Sequence, residues 1–185
     1  ALPGEAYTED QRRWIVNAVD GRINYGHGLE TWATSLAVVE KEEVLASAIY
    51  QPTNDILYVF TDRQPACTYD TNRMTTVEVL RTSAIDRLDQ ALVLVSSTAD
   101  ISIAPDAIDE LISKTNAKRS FGCPSLELGW VASGKAEIYV TDKIRESSWL
   151  AGASLVEASG GNIFEHKGWR IAASRSISET LEKIL

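Results

Sequence analysis

The stretch "TWATSLAVVE", residues 31–40, constrains the fold more than any other part of the chain. Its alternation places Trp32, Thr34, Leu36 and Val38 on one side of an extended strand, and Ala33, Ser35 and Ala37 on the other. Small residues along one side let another layer approach closely, so this strand belongs to a sheet with something packed tightly on one face. "EVLASAIY" (43–50) and "DILYVFTD" (55–62) repeat the strand character, separated by Lys41-Glu42 and by residues 51–54. Such short polar connections join antiparallel neighbours, and the three strands read as a meander.

The second half alternates between element types. "ALVLVSS" (91–97) is a continuous apolar run, as in a strand buried on both faces. The segment 105–117 starts with Pro105 at the first helical position, carries Asp106, Asp109 and Glu110 early and Lys114 late, and so suits the helix dipole. Segments 123–135 and 147–161 read as helices, the second stopped by Gly160-Gly161. Segments 136–140 and 169–174 read as strands, and the last ten residues as a helix with Ser176 and Glu179 at capping-box spacing. An antiparallel sheet (1–80) followed by an α/β portion (81–185) makes a layered α/β sandwich, and without repeats or a dividing linker the 185 residues read as a single domain.

Charge and cysteine usage narrow the partners. A formal net charge of −8 argues against a nucleic-acid surface, which needs a basic face to neutralise phosphates. No apolar run approaches the ~20 residues of a membrane span, and the first residues lack a signal-peptide core, so the reading is a cytoplasmic protein without a membrane partner. Cys67 and Cys123 have neither CxxC spacing nor partner histidines and read as free buried thiols. Cys123 opens a helix, where a thiol pKa can fall, but no histidine base is recognisable near it. His27 and His166 belong to no ligand cluster, and Trp130 and Trp149 read as core.

"WIVNAVDGRINYGHG" (14–28) carries the candidate chemistry. Strand-like Trp14 to Asn17 runs into Asp20-Gly21, which taken alone is a turn. The same shape delivers an acidic loop to a sheet edge, as metal-dependent phosphate sites require. Asn17 stands where a second carboxylate would help, and Arg22 follows at once.

Taken in order, "PGEAY", "WIVNAVDGRIN", the strand meander, "RSFGCPSLELGWVASGKAEIYV" and "WLAGASLVEASGGNIF" resemble the inositol monophosphatase family of Mg²⁺-dependent sugar-phosphate phosphatases. The family's equivalents are GEE, W-[IV]-[IV]-D-P-[IL]-D-G-T-x-N, a meander with Y-x-P, the G-[ST]-A-A helix with its G-x-x-x-A-Y exit, and W-D-x-A-A-G with E-A-G-G. The resemblance spans nearly the whole chain. It implies carboxylates from separate segments converging on Mg²⁺, which neutralises phosphate and activates water. Carried over by position, Glu5 and Asp20 are metal ligands and the catalytic pair of an active enzyme, and Val19 offers its backbone carbonyl to a metal. Gly21, Arg22, Gly122 and Cys123 fall at substrate- or phosphate-binding positions.

The departures fall on that chemistry. Asn17 replaces a bridging Asp, Ser148 a metal-binding Asp, Ala6 the second Glu of GEE, and Arg22 the Thr that orients the attacking water. Ala18 replaces the Pro, Ser147 the Trp before the lost Asp, and Thr141 stands where some members carry a substrate-binding Glu. Ser148 also reads as the N-cap of helix 148–159, keeping the helix start without the charge. The expectation is a degenerate member acting as a binding, structural or assembly subunit, without a resident cofactor. The alternative is a Mg²⁺-dependent phosphomonoesterase acting on inositol or sugar phosphates. Arg22 reads either as a solvated surface residue or as a guanidinium that binds phosphate or sulfate where metal once sat. Family members carry helices before the GEE segment that pack over the sheet. The chain reads either as a fragment or as a natural short form; a short form would leave that face bare, which implies self-association or a second protein covering it.

Overall fold

The computed structural model describes residues 12–73, 75–96 and 106–185. Six strands, β1 (Arg13–Asp20), β2 (Ala33–Glu40), β3 (Glu43–Gln51), β4 (Ile56–Thr61), β5 (Gln64–Asp70) and β6 (Thr75–Val79), form one antiparallel sheet in chain order. The three expected strands are its centre. Sequence reading misses β5 and β6 because Pro65 interrupts the first and the second is an exposed edge strand with no buried face to impose alternation. The β2–β3 connection is a two-residue hairpin turn with Lys41 and Glu42 both at positive φ, 50° and 65°. That conformation matches strand twist, although neither residue is glycine.

The small-residue side of β2 is the packed side: Ala33, Ser35 and Ala37 are buried, while Thr34, Leu36 and Val38 stay half-buried on the opposite face. Against the packed side lie two helices, α3 (Pro124–Ala132) and α4 (Glu146–Ala158), which also touch a second sheet behind them. The helices approach closely at Gly152, where an added Cβ would stand 2.4 Å from Leu128 Cβ. The second sheet has the order β10-β11-β9-β7-β8 and is mixed, with β7 (Leu92–Ser96) parallel to β8 (Ala117–Arg119) and β9 (Ile138–Thr141), and β11 (Trp169–Ala173) antiparallel to β9 and to β10 (Asn162–His166). Its far face carries α2 (Asp106–Lys114) and α5 (Arg175–Leu181), and a short α1 (Arg22–Gly26) follows β1.

Residues of β7 divide between two cores, as expected for a strand covered on both sides. Leu94 joins Leu126, Leu128, Tyr139 and Leu155 in the central layer, while Val93 and Val95 join Ile108, Leu111, Ile171 and Ile177 in the outer one. Each fully buried aliphatic side chain contributes roughly 1.5–3 kcal/mol. The fold is therefore the expected layered α/β sandwich, antiparallel sheet first.

Three local expectations are corrected. The segment 105–117 ends as a helix at Lys114 and enters β8 at Ala117; Pro105 lies outside the described residues. The C-terminal helix has no capping box: it starts at Arg175, so Ser176 falls inside the first turn and donates to the Ser83 carbonyl at 3.3 Å. Ser148 is no N-cap either, since α4 starts at Glu146 after Arg145.

The other face of the six-stranded sheet holds Trp14, 68% exposed, and Val16, 55% exposed, beside half-buried Leu36, Val38, Leu57 and Val59. A cavity of about 280 Å³ opens on it between Leu57, Val59, Pro65, Cys67 and Tyr69.

Candidate functional site

An irregularity in β1 builds the site. Asn17 pairs with Ser35 and Asp20 with Ala33, so Ala18 and Val19 together face Thr34 alone. Residues three apart on a regular strand point to opposite faces; the extra residue of the bulge brings Asp20 back to the face Asn17 uses. Thr34 Oγ1 pins the bulge by donating to the Ala18 carbonyl at 2.7 Å. Asn17 and Asp20 are both buried, at 9% and 7% exposure, and Val19 is half-buried between them.

Ser148, inside the first turn of α4, meets both. Its hydroxyl donates to Asp20 Oδ1 at 3.1 Å and accepts from Asn17 Nδ2 at 2.9 Å. The direction follows from chemistry: an ionised carboxylate only accepts, so the single hydroxyl proton goes to Asp20 and the amide must supply its N–H. Asp20 Oδ2 accepts from the Ser125 backbone N–H at 2.8 Å and faces the Cys123 thiol at 3.9 Å. The carboxylate thus sits at the positive end of α3. Both its oxygens are occupied by protein donors, and Asn17 and Ser148 are the links of that chain.

The surrounding loops are fixed by backbone demands. Gly21 has φ 74°, and a Cβ there would lie 2.8 Å from the Thr31 carbonyl, so only glycine fits. Asn24 Nδ2 donates to the carbonyls of Thr31 and Phe121, at 2.7 and 2.6 Å, tying the loop after β1 to the approach of α3. Gly122 turns there with φ 70°. Glu127, wholly buried behind the site, accepts from Ser96 Oγ at 2.6 Å and the Phe121 N–H at 2.9 Å, and burial raises its pKa.

Cys123 does not have the lowered pKa that a helix start can confer. It is fully buried, and burial together with the neighbouring Asp20 charge pushes its thiol up to about 12. Desolvation of the thiolate outweighs the helix dipole. Cys67 and Cys123 are both free and buried, as expected. Thr141 is buried at the end of β9, Trp149 is core, and Trp130 is half-buried with its ring edge-on to Phe121.

Asp20, Gly21, Arg22, Gly122 and Ser148 line one cleft of about 560 Å³, together with Lys143 and Arg145. Cys123 lies beneath it, and Glu5 is outside the described residues. Sequence reading missed Lys143, Arg145, Asn24 and Ser125: the first two lie in an unremarkable loop before α4, and Ser125 contributes through its backbone. Mg²⁺ demands octahedral oxygen ligation with carboxylates or phosphates among its ligands. Among the described residues no three His, Cys, Asp or Glu side chains gather to hold a metal ion. Among the described residues, Asp20, already accepting from two protein donors and sharing its cleft with an amide, a hydroxyl and three cations, does not make such a ligand set.

The chain resembles known proteins over most of its length. A protein of Thermotoga maritima named fructose-1,6-bisphosphatase/inositol-1-monophosphatase is 26% identical over 163 residues, covering 88% of this chain and 60% of its own length. A putative Nus factor SuhB of Neisseria meningitidis serogroup B is 25% identical over 160 residues, covering 84% and 58%. The chain thus spans less than two thirds of the length of these relatives. The crystal structure of the extragenic suppressor protein suhB of Bartonella henselae superposes with a TM-score of 0.80 at 26% identity, over 95% of this chain and 73% of that one. The profile of the inositol monophosphatase family matches residues 3–183, and the chain belongs to that family.

Proposed function

We propose that this chain is a non-hydrolysing member of its family, a binding or assembly subunit whose cleft takes a phosphate-like anion without a metal. The observation that carries the reading is the chain Asn17–Ser148–Asp20, in which hydrogen bonds occupy the carboxylate that a metal would need. Charge points the same way: Arg22, Lys143 and Arg145 line the cleft with Asp20 as the one carboxylate among its lining residues. Arg22 supplies the planar fork suited to a phosphate or sulfate oxygen pair, and it lines the cleft together with Gly21 and Gly122. That one relative is named a putative Nus factor agrees with a non-hydrolytic use of this scaffold. The exposed Trp14 and Val16 belong, on this reading, to a face covered by a second copy or another protein.

A second reading keeps Mg²⁺-dependent phosphomonoester hydrolysis with Glu5 and Asp20 as ligands; the retained Asp20-Gly21 loop and the phosphatase name of a relative favour it. Calorimetric titration separates the two. Phosphate binding in the presence of chelator, absent in Arg22→Ala, with no heat from Mg²⁺, supports the proposal. Millimolar or tighter Mg²⁺ binding strengthened by phosphate would overturn it.

A further inference from the structure

The outer face of the six-stranded sheet, away from α3 and α4, is built of side-chain rows set by the strand register. Trp14, Val38, Ala46, Thr61 and Gln64 stand side by side in the first row. Val16, Leu36, Ala48, Val59, Cys67 and Val79 make the second. Thr34, Tyr50, Leu57, Tyr69 and Thr76 make the third. None of these residues is charged, in a chain of which 24% is Asp, Glu, Lys or Arg. Next along β1 and β2 come Arg12 and Glu40, which pair with each other at 2.7 Å at one end of the face. A sheet face turned to water carries polar residues in alternation; an uncharged, largely apolar one belongs under another layer.

The size of the face suits a protein partner. Strands about 4.8 Å apart and rows about 7 Å apart make it roughly 29 by 20 Å, or about 600 Å². Two such faces hide about 1,200 Å² when they meet, which reaches the size of a specific protein–protein interface.

Its relief fits a copy of itself. Trp14 stands 68% exposed on the edge strand β1. Toward the other edge, the cavity of about 280 Å³ opens between β4 and β5, walled by Leu57, Val59, Thr61, Gln64, Cys67 and Tyr69. Between the two, β3 carries only Ala46 and Ala48 in the first two rows. A two-fold axis laid along β3 turns one copy over onto another and leaves each row facing itself. It sets β1 of each copy over the β4–β5 gap of the other, so Trp14 meets the hollow, and the alanines lie at the axis where the backbones come nearest. A two-fold contact uses the same patch twice, so a knob and a hollow on one face complement each other. The result is ordinary aligned packing of two sheets about 10 Å apart.

We propose that a second copy of this chain covers the face, sheet on sheet, with Trp14 of each protomer seated in the β4–β5 cavity of its partner. This rests on the covered face of the reading above, names its one occupant, and stands apart from the anion cleft.

Sedimentation equilibrium of the wild-type chain in chelator tests it, and the expected result is a dimer at about 10 μM. Trp14→Glu weakens that dimer by roughly a hundredfold, because it removes an aromatic anchor and puts a charge into the hollow. Its circular dichroism stays that of the parent, since Trp14 is largely exposed within one copy. Val16→Lys and Val59→Glu each weaken the dimer as well, and the double variant recovers much of the loss. These two side chains lie about 14 Å apart within a protomer and face each other only across the axis. In the unaltered chain, dilution through the dissociation range shifts tryptophan emission to the red as Trp14 enters water, a readout independent of how any variant folds. A dimer that tolerates Trp14→Glu lies on another surface and overturns the proposal. So does a chain that stays monomeric at about 100 μM; if that monomer binds an anilinonaphthalene sulfonate dye, the face is open to a different partner. Phosphate titration of the same samples reads the cleft separately, so either proposal can fail without the other.

Discussion

Ser148→Asp reverses the central feature of the site, because it puts a carboxylate where a hydroxyl now donates to Asp20 at 3.1 Å. Two like charges about 4 Å apart repel by roughly 4 kcal/mol at an effective dielectric of ~20. The lost hydrogen bond to a charged acceptor adds about 1.5–3 kcal/mol. Relaxation of the exposed side of the cleft takes back part of this, and we expect a net loss of about 3–5 kcal/mol in chelator at neutral pH. Against a usual domain stability of about 5–15 kcal/mol, that is a large fraction. For a chain of this size it lowers the melting temperature by roughly 2–4 °C per kcal/mol. Urea unfolding followed by fluorescence of the five tryptophans measures it. Millimolar Mg²⁺ restores part of the loss, and restores more in the double variant Asn17→Asp/Ser148→Asp, where three carboxylates converge. A Ser148→Asp chain within about 1 kcal/mol of the parent in chelator would refute the argument, since ordinary surface substitutions cost less than that.

Three other outcomes follow from the geometry. Gly152→Ala places a methyl 2.4 Å from Leu128 Cβ between two buried helices and costs about 1–3 kcal/mol or more in denaturant unfolding, as overpacking does. Glu127 has a pKa raised by burial above the ordinary 4.5, so the native state holds more protons than the unfolded one above that value. Its contribution is full below about 4.5 and is lost as pH rises through the folded pKa; Glu127→Gln flattens that part of the stability–pH curve. Cys123, with its thiol pushed up to about 12 and no exposed surface, resists iodoacetamide at mildly alkaline pH in the native chain and reacts once unfolded, as a mass spectrum after labelling will read.

Much of the fold was legible because periodicity is local. Ala33, Ser35 and Ala37 marked the packed side of β2, and the continuous run of β7 marked a strand between two layers; both patterns need only neighbours in the chain. The edge strand β6 was not legible, because it is exposed along its length and carries no burial pattern. Helix starts slipped by one or two residues, which was enough to turn Ser148 from a supposed cap into a member of the site. Lys143 and Arg145 carried no motif and gained meaning only by facing a common space.

The sequence by itself determined the layer order and the family, because strand alternation and the residue types at motif positions are written along the chain. Tertiary structure alone decided how Asn17, Asp20 and Ser148 meet. Asp20 points toward Asn17 only because a bulge shifts the register of β1 against β2. Ser148 reaches them from 131 and 128 residues away only because α4 is clamped between two sheets. Side-chain direction at a bulge and the pairing of distant donors depend on how layers pack, and packing is a property of the folded chain rather than of any stretch within it.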